Sequence, residues 1–225
     1  MSAAAIVPAV GPLADRPAEL ILLIAAVSLA PVAIFTLTSF LKISVVLSVL
    51  RHALGAPQIP PNTVITGLAL LLTFAVMAPV AEAALAAAAS STEPPGIAGS
   101  LARAQRAAEP LRAFLQRHAR SEDREAFAEV AQRARGGTAA APGPGDFAIL
   151  APAFVVSELR RAFTIGFLVF VPFLVVDLLV ANVLLALGLT QLSPTTIALP
   201  FKLLLFVGVD GWRLLARGLV LSYAG

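Results

Sequence analysis

The sequence of 225 residues contains no cysteine, only two histidines and few charged side chains. Without cysteine the chain cannot form a disulfide, a thiolate nucleophile or a zinc–sulfur site. The two histidines, His52 and His118, stand far apart in the sequence with no group of carboxylates around them. This pattern does not favour a metal site, and we expect neither a metal nor a cofactor.

Charged residues make up only 13% of the chain, and hydrophobic residues make up 59%. A soluble domain has about 25% charged and about 45–50% apolar residues, so this composition is typical of a membrane protein. The net charge of +3 does not indicate nucleic-acid binding, because the most charged stretch, residues 90–146, holds eight arginines against seven acids. We therefore expect no nucleic-acid partner.

The N-terminal sequence does not have the pattern of a cleaved secretory signal. Its first cation, Arg16, lies between Asp15 and Glu19 and does not form a basic region. Residues 20–41 are 22 uncharged residues, and a helix of about 20 residues can cross the hydrocarbon layer. We expect an uncleaved apolar helix that is kinked at Pro31.

Glycine and proline divide the apolar sequence into two long hairpins with a polar segment between them. The turn at residues 55–63, GAPQIPPNT, cannot continue a helix, and Asn62 or Thr63 can cap the next helix. A second turn, GLTQLSP at residues 188–194, interrupts the second apolar run. The expected fold is all-α, with long hydrophobic helical hairpins at residues 1–89 and 147–225 and a small amphipathic helical insert with a Gly/Pro linker at residues 90–146.

Several charged residues lie inside the apolar runs. In residues 197–221, fourteen Leu, Ile, Phe or Val residues favour membrane insertion by about 4 to 8 kcal/mol, while Lys202 and Asp210 each cost about 2.5 to 3.5 kcal/mol. On one continuous helix these two charges would lie about 12 Å apart along the axis and about 80° apart around it. They cannot easily pair, and Arg213 is a nearer partner for Asp210.

The same cost arises at five further charged residues, Lys42, Glu158, Arg160, Arg161 and Asp177. One interpretation is that each charge reaches lipid headgroups or forms a salt bridge within one protomer. Taken together, the charges favour pairing across contacts between subunits, or a position facing a water-filled passage.

Three classes of function remain after this survey: a subunit of a translocation pore, a small transporter and an intramembrane enzyme. Proline-interrupted helices with charges at depth suit a substrate pathway, but no inverted repeat is visible, and four apolar segments are few for a transporter. An intramembrane hydrolase would use Asp177 or Asp210, yet no paired motif frames either acid. The sequence favours a non-enzymatic pore made from several copies.

Four phrases occur in order along the chain: TSFLKISVVLSVLRHALGAPQIPPN, ITGLALLLTFAVMAPV, FVVSELRRAFTIGFLVFVPFLVVDLLVANVLLALG and SPTTIALPFKLLLFVGVDGW. They closely resemble the FliP/SctR family of the bacterial type III export apparatus. The resemblance covers nearly all of the chain from Thr38 onward, except most of residues 85–145. It implies a core subunit of a protein-translocation pore, in a pentameric helical ring through which unfolded polypeptides are exported.

The resemblance also implies partners and a location. SctS/FliQ-like and SctT/FliR-like subunits would complete the ring above an SctV/FlhA-like export gate, in the bacterial inner membrane as a multi-pass protein with the insert on the periplasmic side. In assembled family complexes the hairpins lie largely out of the bilayer plane, so subunit contacts would surround the buried charges. The phrases GAPQIPPN and RGLVLSY, together with the lack of a cleavable signal, favour the injectisome branch over the flagellar branch.

One segment departs from the family pattern. After ALG, family members commonly carry consecutive methionines that close the pore, whereas this chain has Leu189, Thr190 and Gln191, followed by Leu192. The resemblance implies that these four residues lie at the pore constriction. The polar Thr-Gln pair argues against a tight methionine-type seal, and a simple turn between helices is the alternative.

Overall fold

The computed structural model describes residues 17–56, 60–90, 97–134, 143 and 145–224, and within these ranges every regular element is an α-helix. The helices are α1 (Pro17–Thr36), α2 (Phe40–Ala53), α3 (Asn62–Ala89), α4 (Ile97–His118), α5 (Ser121–Ala134), α6 (Phe147–Ala186), α7 (Pro194–Gly208) and α8 (Gly211–Leu221). The all-α prediction is confirmed, and assembly into a ring stays a prediction.

The first apolar run is not broken at its proline. Helix α1 continues through Pro31 and ends at Thr36, and the chain bends at residues 37–39 before α2 begins. The hydroxyl of Thr38 accepts a hydrogen bond from the backbone N–H of Phe40 at 3.2 Å, which supports the start of α2. The kink at Pro31 stays a prediction, and the break between the two helices comes at residues 37–39.

The turn between α2 and α3 forms where the sequence predicts it, but with a different cap. Gly55 has a φ of 78° and donates its N–H to the carbonyl of His52 at 3.0 Å, a conformation that glycine adopts without steric cost. Asn62 and Thr63 do not cap α3, because the capping position is Pro61 and both residues lie inside the helix. The side-chain oxygen of Asn62 instead accepts a hydrogen bond from Arg51.

Helix α6 runs for 40 residues without interruption, although it contains Pro152 and Pro172. Its first turn is capped by Asp146, whose carboxylate accepts the N–H of Ala148 at 3.0 Å. Gly188, with a φ of 72°, ends the helix and donates its N–H to a carbonyl of the last turn. At about 1.5 Å per residue the helix is roughly 60 Å long, about twice the thickness of a hydrocarbon layer.

The last apolar run is divided into two helices, so Lys202 and Asp210 do not lie on one continuous helix. Asp210 has a φ of 52°, in the left-handed region, and separates α7 from α8. A Cβ added at the next residue, Gly211, would lie 2.1 Å from the ring of Phe206. The close approach of this ring explains why glycine follows the bend.

The N-terminal half of α6 lies at the centre of the fold and packs against α2, α4 and α5. One core cluster joins Phe114 and Leu115 of the insert to Leu150 and Phe154 of α6 and to Tyr223 near the C-terminus. The insert therefore shares its core with the C-terminal hairpin. The division at residues 1–89, 90–146 and 147–225 stays a prediction.

Two helices in the described ranges, α3 and α6, are long and apolar enough to cross a membrane by their length and composition. Helix α3 packs on α2 and on α4, and α6 packs on α7 to form the C-terminal hairpin.

Candidate functional site

A fully buried ion pair links the first hairpin to α6. The ammonium of Lys42 lies 3.4 Å from the carboxylate of Glu158, and their side chains are 1% and 0% exposed. Arg161, one turn further along α6, donates to the other carboxylate oxygen of Glu158 at 3.0 Å. The hydroxyl of Tyr223 also donates to Glu158. We call these four side chains the Glu158 network.

The Glu158 network satisfies the charge that it buries. The Lys42 ammonium lies 3.4 Å from the centroid of the Tyr223 ring, a cation–π contact that adds to the ion pair. Burial raises the pKa of Tyr223, and the charge of Glu158 raises this pKa further, so the phenol remains a hydrogen-bond donor. A buried charge with several partners is stable in place, whereas loss of one partner leaves an uncompensated charge.

The insert is joined to the same region of α6 through a serine. Ser157 accepts a hydrogen bond from the backbone N–H of Arg120 at 2.9 Å and donates its hydroxyl to Asp123 at 2.6 Å. Beside it, His118 contacts the ring of Tyr223 edge-on, with the ring centroids 5.0 Å apart. Burial lowers the pKa of His118, which favours its neutral form.

A second buried lysine pairs across the C-terminal hairpin. Lys202 of α7 donates to the carboxylate of Asp177 on α6 at 2.6 Å and to the carbonyl of Ala53 at 3.0 Å. The Lys202 side chain is 3% exposed, whereas that of Asp177 is 30% exposed. The second carboxylate oxygen of Asp177 is buried and has no hydrogen-bond partner within the described residues. This pair is therefore less complete than the Glu158 network.

The two remaining charged candidates lie at the surface. Asp210 pairs with Arg213 at 2.8 Å, and both side chains are largely exposed, as the sequence spacing predicts. Arg160 is exposed, and no ion pair joins it to the part of the chain that the structure describes.

Six of the seven charged candidates thus find a partner within one chain, and these are Lys42, Glu158, Arg161, Asp177, Lys202 and Asp210. Their pairing does not require a second subunit. Contact of these residues with a neighbouring protomer stays a prediction.

Sequence reasoning missed Tyr223 and Ser157. Tyr223 is the single tyrosine of the chain. A lone phenol directly after an apolar helix could have indicated a buried hydrogen-bond donor. Ser157 directly precedes Glu158, but serines inside helices usually bond their own backbone, so nothing in the sequence singled it out.

The turn at the end of the C-terminal hairpin exposes all four constriction candidates, Leu189, Thr190, Gln191 and Leu192. The turn forms because the backbone N–H of Leu189 bonds to the carbonyl of Leu184 at 2.9 Å, which completes the cap at Gly188. Two leucines are thereby placed in the open, 44% and 45% exposed. Their place at a pore constriction stays a prediction.

The hairpin formed by α6 and α7 carries large apolar side chains on its outside. Leu204 and Val207 of α7 are 76% and 74% exposed. On α6 the exposed apolar residues include Phe163, Phe167, Leu168, Leu178, Leu179, Val183 and Leu185. Soluble monomers rarely expose a continuous apolar surface of this kind, so lipid or other protein chains must cover it.

The family model described as "FliP family" matches residues 23–219. The chain belongs to the FliP family. The recognition from the four sequence phrases is thereby confirmed. FliP-family proteins are structural components of the bacterial type III export apparatus. The export function that the resemblance predicts is thereby confirmed.

Relatives come from both branches of the family. The chain is 45% identical over 214 residues to "Pathogenicity-related ORF2" of Xanthomonas campestris pv. glycines, which covers 93% of this chain and 98% of that protein. It is 43% identical to the hypersensitivity response secretion protein HrcR of Ralstonia nicotianae, over 92% of this chain and 97% of that protein. It is 45% identical to the flagellar biosynthetic protein FliP of Pectobacterium carotovorum, over 91% of this chain and 78% of that protein.

The chemistry of the described residues is that of buried charge pairing. No group of three or more His, Cys, Asp or Glu residues in these ranges could hold a metal ion. The Glu158 network fixes α2 and the C-terminus against α6, while the Lys202–Asp177 pair fixes α7 against α6. Both arrangements set the position of helices relative to one another.

Proposed function

We propose that this FliP-family chain is a non-enzymatic subunit of an injectisome-type export pore. Five copies would form a helical ring, completed by SctS/FliQ-like and SctT/FliR-like subunits above an SctV/FlhA-like export gate. The ring would lie in the bacterial inner membrane, with the insert on the periplasmic side, and would pass unfolded polypeptides. The observation that carries this proposal is the exposed apolar surface of the C-terminal hairpin, together with a half-satisfied charge pair on the same hairpin.

Lipid alone is a poor environment for this hairpin. Asp177 is 30% exposed and retains a carboxylate oxygen with no partner in the described ranges. An ionised group facing hydrocarbon costs several kcal/mol, by order of magnitude. A neighbouring protomer can cover the exposed part of Asp177 together with the apolar residues beside it, Leu178 and Leu179, so subunit contact accounts for both features.

The turn at the end of the hairpin is the part of the chain that we place at the constriction. It presents Leu189 and Leu192, with Thr190 and Gln191 between them, at the tip of two long helices. In a ring, five such turns would converge and narrow the passage. Leucine side chains can seal against one another, although less adaptably than methionine.

The constriction is tested by replacing residues 189–192 with glycine in cells that assemble the complete apparatus. We expect increased leakage of a small dye across the inner membrane, because the apolar seal is removed while the helices are kept. A Ser193→Gly variant, which changes the residue directly after these four, should leave leakage unchanged. Unchanged leakage in the 189–192 variant would assign these residues to a turn with no sealing role.

Ring assembly is tested by co-expressing the tagged chain with its SctS-like and SctT-like companions and measuring the mass of the purified complex. We expect a single complex that contains several copies of this chain. A Lys202→Glu variant should reduce its yield, because like charges would then face each other on α6 and α7. A chain that stays monomeric when its companions are supplied would contradict the proposal.

The injectisome branch is tested by complementation. We expect this chain to restore type III secretion in a strain that lacks the injectisome homologue more fully than it restores swimming in a strain that lacks flagellar FliP. Both kinds of relative have similar identity to this chain, so the companion subunits, and not overall similarity, should decide which complex accepts it. Preferential rescue of swimming would assign the chain to the flagellar branch.

A further inference from the structure

A cavity of about 580 Å³ opens beside the Glu158 network. Its wall is formed by α2, α4 and α6, together with Arg120 between α4 and α5 and Ser222, which follows α8. The cationic side chains that line it are Lys42, Arg117, Arg120, Arg160 and Arg161. Among the described residues that line the cavity none is acidic. This volume is within the range of small-molecule sites, about 300–1,000 Å³.

Only part of this positive charge is neutralised within the chain. Glu158 already bonds Lys42 and Arg161, and Glu122 pairs with Arg120. Arg117 and Arg160 form no ion pair with any residue that the structure describes. Cations gathered around one concave wall repel one another, and the potential inside the cavity attracts an anion. The wall therefore favours a negatively charged ligand.

Guanidinium groups identify the class of anion. Arginine presents several N–H donors in a planar arrangement that matches phosphate and carboxylate oxygens, and it is the preferred residue for phosphate recognition. The cavity is much larger than a single phosphate ion, so it has room for a phosphate that carries a substituent.

The position of the cavity identifies what the phosphate is attached to. Arg160 and Arg161 are the last charged residues of α6 before the uncharged stretch of residues 162–176. Phe163 and Phe167, 62% and 65% exposed, begin the apolar surface directly beyond the two arginines. A phospholipid has the same order, with a phosphate followed by apolar chains, whereas an acidic peptide would match only the basic wall.

We propose that this cavity binds the phosphate group of an anionic phospholipid, whose acyl chains lie along the exposed apolar surface that begins at Phe163 and Phe167. We expect Arg117 and Arg160 to contribute most to phosphate binding, because neither forms an ion pair within the described residues. The inference does not depend on ring assembly, and the isolated full chain is sufficient to test it.

The test compares lipid retention by the full chain and an Arg117→Gln/Arg160→Gln variant, using native mass spectrometry after titration with phosphatidylglycerol or phosphatidylcholine. We expect the unmodified chain to retain phosphatidylglycerol preferentially. Each cation near a lipid surface contributes about 1 kcal/mol, so loss of two should weaken phosphatidylglycerol binding about ten- to thirtyfold. An Arg117→Lys/Arg160→Lys variant should recover most of the affinity, because it keeps both charges.

The matched control is Arg103→Gln/Arg217→Gln, which removes the same charge at two exposed residues that do not line the cavity. It should leave phosphatidylglycerol binding unchanged, and an equal loss in the control would overturn the proposal by showing a general charge effect. Unfolding temperatures of all variants establish that the fold is intact.

A further titration with inorganic phosphate distinguishes the source of the phosphate. If inorganic phosphate competes with phosphatidylglycerol for the unmodified chain but not for the glutamine variant, a phosphate site in this cavity is supported. Tight binding of inorganic phosphate with no preference between the two lipids would overturn the phospholipid assignment. The assignment would also be overturned if the glutamine variant bound lipid normally but no longer bound its companion subunits. An acidic side chain of a companion subunit would then be the occupant of the cavity.

Discussion

Lys42 and Lys202 are both buried lysines on apolar helices, yet their surroundings differ. Lys42 faces a carboxylate that is 0% exposed and that also accepts from Arg161 and Tyr223. Lys202 faces Asp177, which is 30% exposed and keeps one oxygen without a partner in the described ranges. In the first network both carboxylate oxygens of Glu158 have partners within one chain. In the second pair the ammonium of Lys202 has two partners, but one carboxylate oxygen of Asp177 has none in the described ranges.

The difference distinguishes a network whose charged groups all have partners within the protomer from a region with an unpartnered charged group and exposed apolar residues. Around Glu158, both carboxylate oxygens have partners within the chain, supplied by Lys42, Arg161 and Tyr223. Around Asp177 the hairpin is open on its outer side, where large apolar residues are exposed. We interpret the Glu158 network as the support of the protomer fold and the Asp177 region as the surface prepared for assembly.

The largest expected effect is that of Glu158→Gln. This change leaves the ammonium of Lys42 buried without its counter-charge, which should cost about 3–5 kcal/mol of unfolding free energy. The measurement is denaturant unfolding in detergent, followed by the fluorescence of the single tryptophan, Trp212. The control is Glu129→Gln, which breaks an exposed pair with Arg133, and an equal loss in both variants would contradict the comparison.

Tyr223→Phe should have the next largest effect. It removes one hydrogen bond to a buried carboxylate but keeps the aromatic ring against Lys42, so we expect a loss of about 1.5–3 kcal/mol by the same unfolding measurement. In the Glu158→Gln background the loss should shrink, because the charged acceptor is then absent. Full additivity of the two changes would mean that Tyr223 acts through packing alone.

Asp177→Asn should destabilise the protomer less, by about 1–2 kcal/mol. Lys202 keeps its hydrogen bond to the carbonyl of Ala53, and the side-chain oxygen of an asparagine can still accept a hydrogen bond from its ammonium. The yield of the multi-subunit complex should nevertheless fall more than it does for Tyr223→Phe. Equal effects on protomer stability and on complex yield would remove the distinction that we draw between the two regions.

Asp210→Asn should have the smallest effect, within about 1 kcal/mol, because its pair with Arg213 is exposed and screened by solvent. Asparagine also tolerates the left-handed conformation that Asp210 adopts. The measurement is again unfolding in detergent. A loss as large as that for Asp177→Asn would show that this surface pair is buried by a contact outside the protomer.

Much of the secondary structure follows from local chemistry. Glycines and prolines marked the turns after α2 and after α6, and Gly55 and Gly188 adopt the positive φ angles that such turns require. Local chemistry also anticipated the Asp210–Arg213 pair, because its partners are three residues apart. It failed at residues 37–39, which no strong turn sequence marks. It also failed at Asp210, where the Asp-Gly dipeptide is a turn signal that the surrounding apolar run obscured, and where the bend brings Phe206 against Gly211.

The partners of the buried lysines could not be predicted in the same way. Helix α6 is apolar on nearly all sides, so its sequence carries no periodic signal that fixes which face meets α2 or α7. The pairs of Lys42 with Glu158 and of Lys202 with Asp177 join residues distant in sequence, and their geometry depends on how three helices cross. Spacing along one helix is the only geometry that a sequence provides directly, and it offers no acidic partner for either lysine.

The sequence by itself determined that this protein is built from long apolar helices with an amphipathic insert, and its phrases identified the FliP family. These features depend on composition, turn residues and local order, which are properties of the chain before it folds. Only the tertiary structure decided which charges meet, which bends interrupt the last run and where basic residues line a cavity. These depend on distances between segments, which are fixed when the helices pack.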